Sequence, residues 1–249
     1  MKDKPLTYSR ILREPISDHA TFHQKTALHA VKRKGPLPKH HVYFKAYDRL
    51  NAYRFGRKKI DSKVVKLFER RSSIRSKTKT GKLTVDALGS LLYYSAGIRK
   101  ETKEKQGLRY YPSAGALYPL ELYVIPHRVN GLIKRAIYHY NVKRDYFEER
   151  VSNDPSALDA CFQQGFVSRS DALIVLTGIH KRTIMKYGER GYRYEHIEAG
   201  HVGQNIYLLA AELGLRVCGI CGFFDNRINA YLHLNGIDES TLYVFSVNA

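Results

Sequence analysis

The sequence has no tryptophan, only two methionines and only three cysteines among its 249 residues. The thiols, Cys161, Cys218 and Cys221, are too few and too oddly numbered for the disulfide framework of a secreted domain, and they fit a reducing compartment. Long apolar runs are also missing. The longest, around Ala172 to Thr177, falls far short of the roughly 20 residues that cross a bilayer. The opening MKDKPLTYSRILREPISDH lacks the apolar stretch of a secretion signal. These absences predict a cytoplasmic protein with no membrane span. Acidic residues are scarce in one part alone. Residues 1–110 hold 28 Lys and Arg against 9 Asp and Glu, while residues 111–249 hold 14 of each. The whole net charge of +19 therefore sits in the first part. Such a field attracts nucleic acid, anionic membrane or acidic protein alike, and it also suits a plainly solvated surface.

What is present suffices for one sizeable domain. Apolar residues make up 43%, and a chain of this length buries most of its surface. The aromatics are 19 Tyr and 10 Phe; tyrosine suits a wet cleft or an interface as well as a core. No repeat or low-complexity tract is visible. Residues 1–60 read as a basic extension broken by Pro15, Pro36 and Pro38, whose Tyr43, Phe44, Tyr47 and Tyr53 can order it against the body or a partner. Residues 61–249 read as the folded domain. Val64, Val65, Leu67 and Phe68 predict a short amphipathic helix ending near Arg71, and Thr84 is placed to cap a second through Leu88, Leu91 and Leu92. Leu120–Pro126, Ala136–Tyr140, Asp171–Thr177, Leu215–Ile220 and Thr241–Val247 read as strands, with a turn at Asn130-Gly131. A long helix is predicted from about Tyr194 to Leu213, ended by Gly214, and a shorter one over Asp225–His233. Interleaved helices and strands give an α+β domain with a mixed sheet.

Five segments carry possible chemistry, and each has a plainer reading. Arg71, Ser73 and Arg75 offer two guanidiniums and a hydroxyl to a phosphate, though cations near a helix C-terminus also suit its dipole. Pro112, Ser113, Ala114 and Gly115 form a rigid, small-residue stretch that a flat ring can approach closely, or an ordinary loop before a strand. Lys186 and Tyr187, with Glu189 and Arg190 beside them, resemble proton-transfer equipment; lysine needs its pKa brought down from about 10.4 to act as a base near neutrality. A solvated charged loop is the simpler reading. In Glu198-Ala199-Gly200-His201-Val202-Gly203-Gln204-Asn205, each mid-helix glycine costs about 1 kcal/mol relative to alanine, which suggests close approach by a backbone or ligand. His201 has no partner at zinc-protease spacing. Cys218-Gly219-Ile220-Cys221-Gly222 lacks the second pair a zinc ribbon needs and ends a strand instead of opening a helix. No metal site is expected.

In order and spacing these segments are far more specific than singly. Arg71-x-Ser73-Ile74-Arg75 resembles the amino-terminal phosphate motif of flavin-binding nitroreductases. Pro112-Ser113-Ala114-Gly115 with Pro119-x-Glu121 resembles the P-S-A-G-x-x-x-P-x-E segment of their SagB/McbC branch. Lys186-Tyr187-Gly188-Glu189-Arg190-Gly191-Tyr192 and the Glu198–Asn205 segment are similar to that branch too, and Gly219–Phe223 sits where the family turns over its flavin. Phe22-His23-Gln24-Lys25-Thr26 is loosely similar to a short start found there. The resemblance covers about Asp61 to Ala249. It implies a nitroreductase-like fold with a mainly antiparallel sheet flanked by helices, an obligate homodimer, and FMN bound in the subunit interface.

The resemblance also implies the reaction, dehydrogenation of thiazoline or oxazoline rings to thiazole or oxazole in a ribosomally made peptide, beside cyclodehydratase subunits of a modification complex. In such a ring the α-carbon hydrogen lies between an imine-like C=N and a carbonyl, and aromaticity drives its removal. Lys186 is then the base, with Tyr187 as its partner. Arg71, Ser73 and Arg75 hold the phosphate, with Arg109 as a possible third cation, because the carboxyl terminus lacks the basic residues many nitroreductases use there. Pro112, Ser113, Ala114 and Gly115 pack on the isoalloxazine, backbone N–H groups at Cys221 and Gly222 address its edge, and Gln204 and Asn205 complete the cofactor set. The basic extension would dock an acidic leader peptide or an acidic face of the cyclodehydratase. The nearest rival is an NAD(P)H-dependent nitro or quinone reductase, which has no substrate C–H to deprotonate and no need of the Lys186–Tyr187 pair. A degenerate scaffold subunit would lack Lys186. A nucleic-acid module is disfavoured, since no zinc-finger or RNP-like motif accompanies the charge.

Overall fold

A computed structural model describes residues 17–28, 44, 51, 53–75, 81–101, 107–132, 136–152 and 155–249. Most of the basic extension, including Pro15, Pro36, Pro38, Tyr43 and Tyr47, lies outside the described residues. The helices that matter for the site are α1 (Asp18–Thr26), α2 (Ser62–Arg70), α3 (Val85–Ala96), α4 (Lys181–Tyr187), α5 (Gly191–Glu212) and α6 (Asp225–Tyr231). The central sheet is built from β1 (Leu120–Pro126), β2 (Ala136–Asn141), β3 (Tyr146–Ser152), β4 (Ala172–Ile179), β5 (Arg216–Ile220) and β6 (Glu239–Asn248).

The strand order is β3-β2-β1-β4-β6-β5, and every neighbouring pair is antiparallel. Among the described residues parallel pairing is confined to a two-residue ladder, Leu83–Thr84 with Val129–Asn130. Both sheet faces are covered, which is why the inner strands read as near-continuous apolar runs. Leu120, Leu122 and Val124 of β1 and Ile174 and Leu176 of β4 join the core that also holds Leu88, Leu91 and Leu92 of α3 and Val202 and Ile206 of α5. The alternate residues Tyr123, Ile125, Leu173 and Val175 join Ile228 and Tyr231 of α6 on the other face. Burying one such side chain contributes about 1.5–3 kcal/mol.

Local chemistry explains the helix ends. Thr84 caps α3 by accepting the Ala87 N–H at 3.1 Å, and Gly214 takes a φ of +69° just past α5. The long helix begins three residues before its predicted start. A Cβ on Gly191 would lie 2.8 Å from the Thr183 carbonyl carbon, so glycine lets α5 begin hard against α4. Gly203 has a similar role, its missing Cβ leaving room for the Phe245 ring 2.9 Å away. Gly200 is exposed and faces open space.

Part of the extension is seated on the domain. The Glu189 carboxylate accepts from the His19 N–H at 2.5 Å and pairs with His19 Nδ1 at 2.9 Å. His23 Nδ1 bonds the Tyr192 hydroxyl at 2.7 Å, and the Asp225 carboxylate takes the Leu28 N–H at 2.8 Å. Among the described residues no helix is long and apolar enough to cross a membrane.

Candidate active site

The segment before β1 folds into an arch. Ala114–Ala116 make a single 3-10 turn, and Gly115, Ala116 and Tyr118 all have positive φ, at +62°, +53° and +46°. Two of these three carry a Cβ, so the arch stores backbone strain that its surroundings must hold. Glu198 of α5 holds it from below. Its Oε1 accepts from Ser113 Oγ at 2.9 Å and from the Ala114 N–H at 3.0 Å, while Ser113 Oγ accepts from the Tyr118 N–H at 2.9 Å. From the side, Arg182 of α4 donates to the Tyr118 carbonyl at 3.0 Å and pairs with Glu121 at 2.6 Å.

Lys186 and Tyr187 meet this arch at its apex. A Cβ on Gly115 would lie 2.6 Å from Lys186 Nζ and 2.6 Å from the Tyr187 hydroxyl, so both tips converge on one glycine. They sit on the last turn of a helix, not on a loop. Arg190 turns away, its Nε donating to the Tyr194 hydroxyl at 3.2 Å.

Beneath the arch lies a buried polar layer. Glu198 is 2% exposed. Burial pushes its carboxyl up to about 7, helped by the nearby Glu195 charge and opposed by the bonds from Ala114 and Ser113 and by Arg109. Its Oε2 is buried without a hydrogen-bond partner, and the buried Tyr111 hydroxyl and the Arg109 guanidinium face each other beside it. Arg109 stacks on the Tyr118 ring at 4.8 Å, which places it with the arch.

Arg71 and Ser73 gather instead around Tyr207 of α5. The Arg71 guanidinium lies 5.6 Å from the Tyr207 ring centre, and Ser73 Oγ is 3.0 Å from its hydroxyl. The Ile74 N–H bonds the Val217 carbonyl at 2.9 Å, tying this segment to β5. The Gly219 N–H donates to the same Tyr207 hydroxyl at 2.7 Å. Arg75 lies over the Phe166 ring at 5.8 Å, near the loop whose Gln164 abuts Gly222. A Cβ on Gly222 would meet Gln164 Nε2 at 2.7 Å, and Gln164 Oε1 is buried without a partner. Cys221 is exposed at this turn, with a free thiol that desolvation holds above its usual value. Gln204 is exposed, whereas Asn205 uses its amide N–H groups on the Ser95 and Tyr110 carbonyls, at 3.1 and 3.5 Å.

The predicted residues thus fall into two groups on α5. One holds Arg71, Ser73, Arg75, Cys221 and Gly222; the other holds Pro112, Ser113, Ala114, Gly115, Lys186 and Tyr187. Glu198 and Tyr207, their anchors, are nine residues apart, about half a turn around the helix at 3.6 residues per turn. The first group fits a phosphate-bearing flat cofactor: the half-buried Arg71, the exposed Arg75 and the Ser73 hydroxyl for the phosphate, a glycine cradle and the orphaned Gln164 Oε1 for a ring edge. Among the described residues no His, Cys, Asp and Glu cluster is arranged to hold a metal ion. Beside the arch a cavity of about 630 Å3 is lined by Glu121, Tyr123, His139, Arg150, Arg182 and Glu239, among others. Its charges pair internally: His139 lies 2.8 Å from Glu121 and 2.9 Å from Glu148, and the Glu121 bond in particular raises its pKa.

Residues 68–247 match the family described as the Nitroreductase family. The chain belongs to that family. It is similar, at 35% identity over 156 residues, to MJ1384 of Methanocaldococcus jannaschii, covering 61% of this chain and 75% of that relative. It is 28% identical over 133 residues to the microcin B17-processing protein McbC of Escherichia coli, covering 51% of this chain and 49% of McbC. The match thus spans about half of McbC. A chain of the E. coli microcin synthetase McbBCD complex, solved with truncated pro-MccB17 bound, superimposes with a TM-score of 0.70 at 19% identity, covering 98% of this chain and 97% of that one. The similarity to McbC supports the resemblance of the motifs to the SagB/McbC branch of that family.

The sequence reading missed Glu198 as a site residue. It lies inside the Glu198–Asn205 motif, where the mid-helix glycines are the stronger local signal. Its one visible signal was a carboxylate on the buried stripe of a helix, where acidic residues are rare unless partnered.

Proposed function

We propose that this protein is an FMN-dependent dehydrogenase that oxidises thiazoline or oxazoline rings to azoles in a ribosomally made peptide. The observation that carries the reading is the convergence of Lys186 Nζ and the Tyr187 hydroxyl on Gly115. A base and a hydroxyl face a glycine that leaves room for a flat ring, which is what C–H deprotonation needs and nitro reduction does not. The similarity to a microcin-processing protein supports the same substrate class.

Arg71, Ser73 and Arg75 hold the phosphate, Pro112, Ser113, Ala114 and Gly115 pack on the ring system, and N–H groups at Cys221 and Gly222 address its edge, with Gln204 as an outer member and Asn205 as scaffold behind it. When bound, FMN supplies the acceptor for the hydride that leaves the ring carbon next to the α-carbon. Lys186 Nζ takes the α-proton, and Tyr187 orients and shares it. A C=C bond forms as both hydrogens leave, completing the aromatic ring, and an external oxidant such as dioxygen regenerates the cofactor. The cavity beside Arg182, one helical turn from Lys186, gives room for the flanking peptide chain.

The two groups on opposite flanks of α5 favour a homodimer in which each cofactor is shared. Helix α2 points the same way, since none of its residues is buried, Val64 and Phe68 included. Residues 61–249 form the cofactor domain, and residues 1–60 are a basic extension that engages the acidic leader or the cyclodehydratase.

The test is turnover of a thiazoline-containing peptide by the FMN-loaded protein, followed by mass. Loss of two hydrogens per ring is expected, with Lys186→Ala slower by at least about 100-fold, the low end for a proton-transfer group. A desalted protein that takes up no FMN contradicts the reading. Rapid flavin bleaching by NADPH with the peptide untouched favours a nitro or quinone reductase.

A further inference from the structure

A buried carboxyl group takes no part in the proton transfer just described, yet it is the centre of the hydrogen bonds that shape the site. Glu198 reaches from the middle of α5 to the arch and serves two donors with one oxygen, Ser113 Oγ at 2.9 Å and the Ala114 N–H at 3.0 Å. Ser113 in turn fixes the far foot of the arch through the Tyr118 N–H at 2.9 Å. The Ser113–Ala114 foot therefore hangs on a single carboxylate oxygen, while Arg182 holds the far foot through the Tyr118 carbonyl at 3.0 Å. Three of the residues from Ser113 to Tyr118 hold left-handed backbone, a conformation that does not persist without outside restraint.

We propose that Glu198 is a positioning residue that holds the Ser113–Gly115 arch against Lys186 and Tyr187. It touches neither tip. It acts through Gly115, which follows the bonded Ala114 and whose Cα faces both tips. This rests on the reading of Lys186 and Tyr187 as the proton-transfer pair.

The proton on this acid matters to the design. Burial pushes Glu198 up to about 7, so it is largely neutral below that pH. The groups facing it are Ser113, Ala114, Arg109 and Tyr111 from the arch side and Glu195 from its own helix. A neutral acid offers Oε1 as the acceptor for both bonds and keeps its proton on Oε2, the atom with no partner. Glutamine reproduces that arrangement, with one carbonyl oxygen and one N–H-bearing group. Alanine removes it.

The experiment compares the full chain with Glu198→Gln and Glu198→Ala and needs no substrate. Two quantities are read: amide exchange at Ala114, and the rate at which acetic anhydride labels Lys186 at fixed pH. In Glu198→Ala both should rise by at least about tenfold, the scale of two lost hydrogen bonds. In Glu198→Gln both should stay within about threefold of the unaltered chain, since both bonds survive. If the alanine variant does not fold, Ser113→Ala replaces it; it loses the Oγ bonds to Glu198 and to the Tyr118 N–H but keeps the Ala114 N–H bond, so labelling of Lys186 should rise with a smaller rise in exchange at Ala114. Unchanged exchange at Ala114 or unchanged labelling of Lys186 in the alanine or serine variant overturns the proposal, as does a glutamine variant that behaves like alanine. Failure of the unaltered protein to oxidise an azoline peptide, with exchange and labelling as stated, would remove the substrate assignment and leave the arch intact.

Discussion

Ser113 and Glu198 stand 85 positions apart in the sequence and 2.9 Å apart in space. Their bond joins the arch before β1 to the middle of the longest helix, and through Gly115 it reaches Lys186 and Tyr187. A motif that looks like three separate segments is thus one connected structure.

The first consequence is a pH dependence of stability. Glu198 is raised from an ordinary 4.5 to about 7 by burial. Between these values the folded chain keeps a proton that the unfolded chain releases. The associated stability is fully present below 4.5 and is lost as the pH rises through 7, a span of up to roughly 3 kcal/mol. Urea unfolding at about pH 5 and about pH 8 should show a steeper decline for the unaltered protein than for Glu198→Gln, by about 1–3 kcal/mol. Parallel declines would contradict the assignment.

Gly115→Ala should be costly twice. Its φ of +62° disfavours any side chain, and the new Cβ would lie 2.6 Å from both tips. Thermal unfolding should show about 1–2 kcal/mol of lost stability. Turnover should fall at least about tenfold, because the proton-transfer pair is pushed off its position.

Arg71 and Asn205 separate binding from scaffolding. Removing the Arg71 guanidinium should weaken FMN binding about 10- to 100-fold, as expected for a charge-assisted bond of about 1.5–3 kcal/mol. Asn205→Ala should leave FMN affinity within about threefold yet lose about 1 kcal/mol of stability, because its amide holds the Ser95 and Tyr110 carbonyls. Quenching of flavin fluorescence and urea titration measure the two effects. Equal losses of FMN affinity would assign Asn205 to the cofactor instead.

The seated helix α1 should release in acid. His23 is buried, and desolvation lowers its pKa from 6.5, with His180, His196 and His19 acting in the same sense against Asp225. A depressed histidine contributes stability that is present above 6.5 and lost as the pH falls through its folded value. Exchange of the Leu28 amide, held by Asp225, should therefore accelerate at about pH 5 relative to about pH 7.5, in excess of the intrinsic rate change. His23→Gln should flatten that excess; an unchanged excess would assign the release to another group.

Much of this is legible in the sequence. The apolar periodicity of Leu88, Leu91 and Leu92, the Thr84 cap and the covered strands β1 and β4 all follow from local patterns, and the structure has them. Helix α4 was not legible, because Lys186 to Arg190 is charged and glycine-flanked and reads as a loop. Strand β3 was missed too: Glu148, Glu149 and Arg150 hide an edge strand that charge protects from further pairing. The order and spacing of the motifs gave the candidate residues. What no single segment revealed was their grouping around opposite flanks of α5, since that depends on contacts such as Ser113 with Glu198 and Ser73 with Tyr207 that are far apart in sequence.

The measurement that bears most directly on the central claim is anaerobic mixing of the FMN-loaded protein with a thiazoline-containing peptide, followed by flavin absorbance and product mass. The account predicts bleaching of the flavin with one flavin reduced for each ring aromatised, and no bleaching in Lys186→Ala over the same period. A flavin that stays oxidised with the peptide but bleaches at once with NADPH would contradict it.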